Sequence, residues 1–316
     1  MVASAVEKPR KNDFKQWDDL LVRFMEYLYL DGAALGAARY ALYGCAYHED
    51  WPIRSADCMP LAKATLKAYR RRSPDQSRDP PCEEMLWLVV DWLLSNRTNP
   101  FLYGLAAAYA LLAWDCYLRP QEALDLKVAD VTRPQRVADI QRWSLTIAPK
   151  PGGKPAKNRQ FDAGVVVGEF NRKWAEDILK VLVDFAPRSG FLFHSLSLAQ
   201  LDKMFVECSS ALNFKVVPHG MRHGGPSTDA FKSGASLSLI QTRGRWQCLE
   251  SVRIYMKPAA LLRSAKLLTA SQLRKAAACK EACPTRVVAA LRKVLIRPSS
   301  AASVGRKRPR DSLGPR

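Results

Sequence analysis

Tyr255, Arg222, His219 and Trp246 fall within one stretch, Pro218 to Lys257, and together hold groups that metal-free cleavage of a phosphodiester would need. The stretch reads PHGMRHGGPSTDAFKSGASLSLIQTRGRWQCLESVRIYMK, and far upstream the fragment YLRPQEALDLKVADV sets Arg119 three residues before Glu122. A phenolate can attack phosphorus, and a guanidinium can hold the negative charge that develops on the nonbridging oxygens. A histidine or an indole N–H can donate to the same oxygens, and an acid can protonate the departing one. Each residue alone has an ordinary explanation. H-x-x-R can be a capped helix with surface His and Arg, Trp246 a core ring, Tyr255 a half-buried tyrosine, and Arg119 a surface residue at a helix start. The order and spacing of the whole set argue against those readings.

Local rules say how such residues could be presented. A helix starting near Pro218 puts His219 and Arg222, three apart, on one face. Pro120 suits a first helical turn, which holds Arg119 at a helix N-terminus where backbone N–H groups favour phosphate. Tyr255 follows Trp246 by nine residues, with Arg253 and Lys257 close enough to lower the cost of a phenolate. The run Gly224-Gly225-Pro226 is expected to loosen the helix after Arg222.

The elements that must carry these residues are mostly helical. Trp17, Leu20, Leu21, Phe24 and Leu28 recur at helical spacing, so residues 14–30 form an amphipathic helix. Further helices are expected within 31–49, 59–72, 82–96 and 102–116, with SPDQSRDPP (73–81) a loop. From this half alone, any small helical bundle would fit. Beyond Arg119 the texture changes. Val128–Asp130 closes a short helix, and Arg142–Ala148 alternates like a strand. PKPGGKPAKNRQ (149–160) is a basic turn and Val165–Val167 a return strand. Residues 169–185 and most of 191–214 are helical, and the stretch from Pro218 supplies more helices. The tail from Ala276 is Ala/Lys/Arg-rich, then Pro/Ser/Arg-rich, and carries the basic cluster Arg306–Arg310.

Composition bounds the partner. Among 316 residues, 49 Lys plus Arg face 30 Asp plus Glu, a formal charge of +19 that suits a polyanion, nucleic acid first. Hydrophobic content of 48% with 8 Trp, 10 Tyr and 11 Phe describes a chain with real cores and room for two domains. The N-terminus has no apolar signal region, and Leu102–Trp114 reads as a buried core helix rather than a membrane span. Eight scattered cysteines read as free thiols. Cys279 and Cys283 lack a nearby His or second Cys pair, which favours thiols on adjacent helical turns over a zinc site.

Taken together, the ordered set Arg119, His219, Arg222, Trp246 and Tyr255 resembles the catalytic signature of the tyrosine recombinase (phage integrase) family. The resemblance covers about residues 14–275 and is concentrated at 114–130 and 215–258. It implies a mainly α fold: a disordered N-terminus (1–13), a helical core-binding domain (14–98), a catalytic α+β domain with a small β-hairpin (99–275), and a basic, partly disordered tail (276–316). It implies a site-specific recombinase that cuts and rejoins DNA through a 3′-phosphotyrosine, without metal, ATP or other cofactor. By the same resemblance Arg119 and Arg222 are catalytic arginines, and Glu122 orients Arg119. His219 and Trp246 hold phosphoryl oxygens, and Tyr255 is the nucleophile. A hairpin lysine is the general acid: Lys157 fits best, with Lys154 and Lys150 in competition. Double-stranded DNA is the expected partner, with a homo-tetramer formed on it. The Leu-rich run after Tyr255 (Leu261, Leu262, Leu267, Leu268, Leu273) either docks on a neighbouring protomer or folds back as core. The Arg306–Arg310 cluster fits nuclear import in a eukaryotic host or a DNA-binding tail. A descendant that holds DNA without cutting it is the alternative.

Overall fold

The computed structural model describes residues 9–10, 13–72, 79–135, 141–149, 162–187 and 190–295, with backbone alone at Ile254, Tyr255, Pro258, Val294 and Leu295. The chain forms two compact units, Met1–Arg78 and Asp79–Arg316.

The first unit packs α1 (Phe14–Leu30), α2 (Leu35–His48) and α3 (Pro60–Arg72) around Trp17, Leu21, Met25, Leu42, Trp51, Leu66 and Tyr69. Asp18 of α1 is buried because it caps another helix: its carboxylate accepts from Leu61 N at 2.9 Å and Ala62 N at 2.7 Å, at the start of α3. The Tyr69 hydroxyl returns the tie, donating to Leu28 O at 3.2 Å and to Ala33 O at 2.5 Å. The far end of α3 carries Arg70, Arg71 and Arg72, where cations complement the helix dipole.

The second unit is built around α5 (Pro100–Asp115), whose residues from Tyr103 to Asp115 are all buried. Around it lie α4 (Glu83–Ser95), α6 (Pro120–Leu124), α7 (Lys173–Asp184), α8 (Leu198–Leu212) and α9 (Met221–Lys232). The chain continues through α10 (Leu237–Gly244), α11 (Leu249–Tyr255), α12 (Pro258–Lys266) and α13 (Ala270–Leu295). Three short antiparallel strands in the order β1 (Val131–Thr132), β2 (Ser144–Ile147) and β3 (Ala163–Val166) stand beside the helices. The β2–β3 pair, with Leu145 opposite Val165, is the expected hairpin, and β1 is an addition to it. Among the described residues no helix is long and apolar enough to cross a membrane.

The division falls at Arg78/Asp79, not at 98/99, so α4 belongs with the second unit. The reason is its composition: Met85 through Asp91 and Leu93 are all buried, and an element apolar on every side needs cover on every side. That cover is α5 and α13. The tail from 276 continues a packed helix up to Leu295, with Cys279 and Cys283 on adjacent turns as expected. Ala276, Cys279, Cys283, Val287 and Leu291 line one stripe and are buried, and Asp91 of α4 pairs with Lys275 at 2.8 Å and with Arg286. The Arg306–Arg310 cluster lies outside the described residues. Of the Leu-rich run, Leu261 and Leu268 are buried in their own chain's core, while Leu262, Leu267 and Leu273 are exposed.

Gly224-Gly225 does not loosen its helix. It brings α9 against the end of α5. A Cβ on Gly224 would overlap the Trp114 ring and lie 2.7 Å from the Pro81 carbonyl, and one on Gly225 would overlap the Trp114 carbonyl. Only glycine permits that approach, and α9 runs unbroken through Pro226 to Lys232.

Candidate active site

The site begins where α5 stops. Tyr117 takes a left-handed backbone (φ 51) and turns the chain into Arg119, the N-cap of α6. Glu122, in the first turn of α6, accepts the Arg119 backbone N–H at 2.9 Å through Oε2 and pairs with the Arg119 guanidinium through Oε1. Arg222 comes in from the first turn of α9. Its Nη1 lies 3.5 Å from Glu122 Oε2 and donates to the Tyr117 carbonyl, while Nη2 donates to Gly244 O at 2.9 Å. A third arginine, Arg245, places Nη2 2.8 Å from the same Glu122 oxygen. Burial alone would raise the Glu122 carboxyl. Arg245, Arg222 and Arg119 outweigh it and hold the group at about 2. Glu122 is therefore an anion at neutral pH, surrounded by three cations among the described residues.

Trp246 lies beneath this cluster. The Arg222 guanidinium sits 5.0 Å from its ring centroid, and the Tyr117 ring stacks on it at 6.2 Å. A Cβ on Gly244 would collide with the indole, so the glycine lets the ring fold back over its own turn. Ile240 and Val252 complete the buried patch, and Met256 packs on it. That patch also anchors the backbone of α11. Tyr255 is the last residue of α11; Val252, one turn earlier, is anchored under Trp246, and Lys257 N, just beyond, donates to Ser227 Oγ of α9 at 3.1 Å. Arg253 is exposed, and burial, with Asp79 opposing it, lowers the Lys257 ammonium from its ordinary value.

His219 stands in a 3-10 turn, Pro218–Gly220, that runs directly into α9. Tyr109 holds the turn by donating to Pro218 O at 3.0 Å, and the His223 ring meets that of His219 edge-on at 5.1 Å. Arg119, Glu122 and Arg222 thus share one cluster, with Trp246 against Arg222. His219 sits three residues before Arg222, and the α11 backbone carries Tyr255 to the same buried patch. Lys150, Lys154 and Lys157 lie outside the described residues.

Arg222 is completely covered, whereas the Arg119 side chain is 19% exposed. Arg119 is therefore the guanidinium of the cluster that meets the surface.

Behind α9 lies a second buried network that the linear sequence did not reveal. Asp115 accepts Gly168 N at 2.8 Å and lies 3.2 Å from Arg243 and 3.6 Å from Arg172. Arg172 also bridges to Asp229, which takes the Tyr117 hydroxyl proton in a hydrogen bond. Burial pushes the Asp229 carboxyl up, against the pull of Arg172. Arg243 and Arg245 stood in plain view in RGRW, and two arginines flanking a helix-ending glycine were a usable signal. Arg172 and Asp229 offered none. Asp91, Cys279 and Cys283 bring ligand-type atoms within 4.8 Å of one another, but the carboxylate is already paired with Lys275 and Arg286. Burial raises both thiols, Cys283 to about 12, so in the absence of an ion the pair packs as protonated thiols.

The phage integrase family pattern matches residues 94–261. The chain belongs to that family. The match spans the α5–α6 junction, the sheet and every helix from α7 to α11, so the cluster lies wholly within it. The fold is similar to that of the Tn1549 transposon integrase in complex with circular intermediate DNA (TM-score 0.53, 10% identity, covering 84% of this chain and 89% of that one). It is similar also to the XerH site-specific recombinase bound to its difH substrate in a pre-cleavage complex (TM-score 0.50, 16% identity, 79% and 68%). At these identities the likeness is one of fold. No curated protein matches the integrase in sequence.

Proposed function

We propose that this integrase cleaves and rejoins double-stranded DNA through a covalent 3′-phosphotyrosine at Tyr255. The observation that carries the reading is the convergence of Arg119, Arg222 and Arg245 on one ionised Glu122, beside the patch that anchors α11. Among the described residues three guanidiniums face one carboxylate, and guanidiniums can hold the negative charge that a phosphorane develops. Arg119, at the surface, meets the scissile phosphate, and Arg222 stands behind it on the same Glu122. His219 donates to a phosphoryl oxygen, and Trp246 supports Arg222 from below. A hairpin lysine, Lys157 ahead of Lys154 and Lys150, protonates the departing 5′ oxygen. Side chains supply every charge, so neither metal nor ATP takes part, and the phosphotyrosine bond conserves the energy for rejoining. The two structural neighbours are DNA complexes, which supports duplex DNA as the partner. A homo-tetramer on two duplexes is the assembly we infer.

A nicked, labelled suicide duplex from the element's own ends tests this. Wild type should form a covalent adduct in EDTA, and Tyr255→Phe should form none while binding DNA within a few-fold. An adduct on the Phe variant would reject Tyr255 as nucleophile. The complete burial of Arg222 favours a second reading, a protein that holds DNA without cutting it. That reading gives a gel shift, weakening with salt by about 0.9 log units per log unit for each phosphate contacted, and no adduct.

A further inference from the structure

We propose that Arg245 is a positioning residue of this site, locking Glu122 and the Tyr117 carbonyl so that Arg119 and Arg222 stay aimed at the phosphate. The proposal rests on the reaction proposed above.

The backbone gives the first reason. Arg245 ends α10 in the left-handed region, φ 56 and ψ 41, where glycine fits without steric cost and an L side chain does not. An arginine kept in that conformation and 7% exposed is a side chain in use. Its contacts show the use. Nη1 donates to Cys116 O and to Arg243 O, each at 3.2 Å, and Nη2 donates to Tyr117 O at 3.2 Å and to Glu122 at 2.8 Å. Two of those acceptors, the Tyr117 carbonyl and Glu122 Oε2, are also acceptors of Arg222 Nη1. Arg222 and Arg245 therefore grip the same two oxygens, one from α9 and one from the end of α10.

The turn divides the work residue by residue. Arg243 reaches back to Asp115, the Gly244 carbonyl accepts from Arg222, Arg245 takes Glu122, and Trp246 underlies the Arg222 guanidinium. Without Arg245, Glu122 would keep Arg119 and Arg222 as its cations among the described residues. Its charge would draw both inward, and the Tyr117 carbonyl would lose one of its two donors. Burial raises the Glu122 carboxyl, and Arg245 is the first of the groups that bring it down, so its loss lets that value climb.

Arg245→Gly is the direct test, because it removes the guanidinium and relieves the left-handed backbone together. Expected is a fall in strand-cleavage rate of about a hundredfold, the size of effect that ångström-scale misplacement of catalytic groups produces. DNA affinity should stay within a few-fold, and the acid limb of the pH–rate profile should move to higher pH. Arg245→Lys keeps the charge but not the fork, and should hold the acid limb while recovering only part of the rate. A double variant with Glu122→Gln should lose no more than the worse single change, since both act through one contact. Wild-type rate and acid limb in Arg245→Gly would overturn the proposal. Should that variant fail to fold, wild-type rate in Arg245→Lys would overturn it instead. The Glu122 carboxyl, followed by carbon NMR in selectively labelled protein, gives a readout independent of activity. It should titrate higher in Arg245→Gly and unchanged in Arg253→Ala, and an unmoved value would also sink the idea. If wild type bound DNA yet formed no adduct, the reaction would fall while this titration still decided the role of Arg245.

Discussion

Two buried arginine–carboxylate networks meet at Tyr117, and they differ in their charge count. On the site side, Arg119, Arg222 and Arg245 surround the single carboxylate of Glu122. On the far side, Arg172 and Arg243 match Asp115 and Asp229, two against two. Tyr117 joins them: its carbonyl takes Arg222 and Arg245, and its hydroxyl donates to Asp229. Helix α9 joins them again, carrying Arg222 and Asp229 on one rigid element. The carboxylates respond oppositely. Glu122 is held down at about 2 by its three cations, while burial pushes Asp229 up despite Arg172. A matched buried network can hold a fold together. Among the described residues the other sets three guanidiniums around one carboxylate, the arrangement a site for an anion would need.

The largest effect should come from unbalancing the matched network. Arg172→Ala leaves Asp229 without its bidentate partner, and breaking a buried pair in this way typically costs about 3–5 kcal/mol. Chemical denaturation should show that loss, with cleavage per folded molecule within a few-fold of wild type. Unchanged stability with lost cleavage would erase the distinction between the networks.

Arg119→Ala should show the reverse. A preorganised donor at a developing oxyanion is worth ~3–4 kcal/mol, so adduct formation should fall by two to three orders of magnitude. Because Arg119 lies at the rim, the denaturation midpoint should hardly move. A variant that cleaves like wild type would remove Arg119 from the site.

Gly225→Ala strikes what the networks share. The added methyl forces α9 off the Trp114 carbonyl, and such overpacking costs about 1–3 kcal/mol. Both stability and cleavage should drop, since Arg222 and Asp229 move together. A loss in only one of the two would mean that α9 does not couple them.

The smallest effect is in pH dependence. Glu122 has a folded-state value below its ordinary one, so its contribution to stability is full above 4.5 and lost as pH falls through about 2. The gap between wild type and Glu122→Gln should therefore be constant from neutral pH to about pH 5 and close on further acidification. A gap that widened with acid would contradict an ionised Glu122.

What the sequence determined by itself was the identity and order of the candidate site residues. His219 and Arg222 share a turn, Arg119 and Glu122 share another, and Trp246 stands a fixed distance from Tyr255; all of these are short-range relations that residue spacing encodes. The hairpin was legible for the same reason, as alternation is a local property of Ser144–Ile147. Only tertiary structure could decide the rest. Glu122 and Arg245, or Arg172 and Asp229, are brought together by the packing of α6, α9 and α10, and no periodicity within one segment records such a meeting. Gly224-Gly225 read as a weakness in a helix until Trp114 was found against it. Helix α4 looked like one more member of the N-terminal bundle until α13 was seen to cover its second face. In each case the deciding term was the neighbour across the interface, and its identity is a property of the folded chain rather than of any stretch of it.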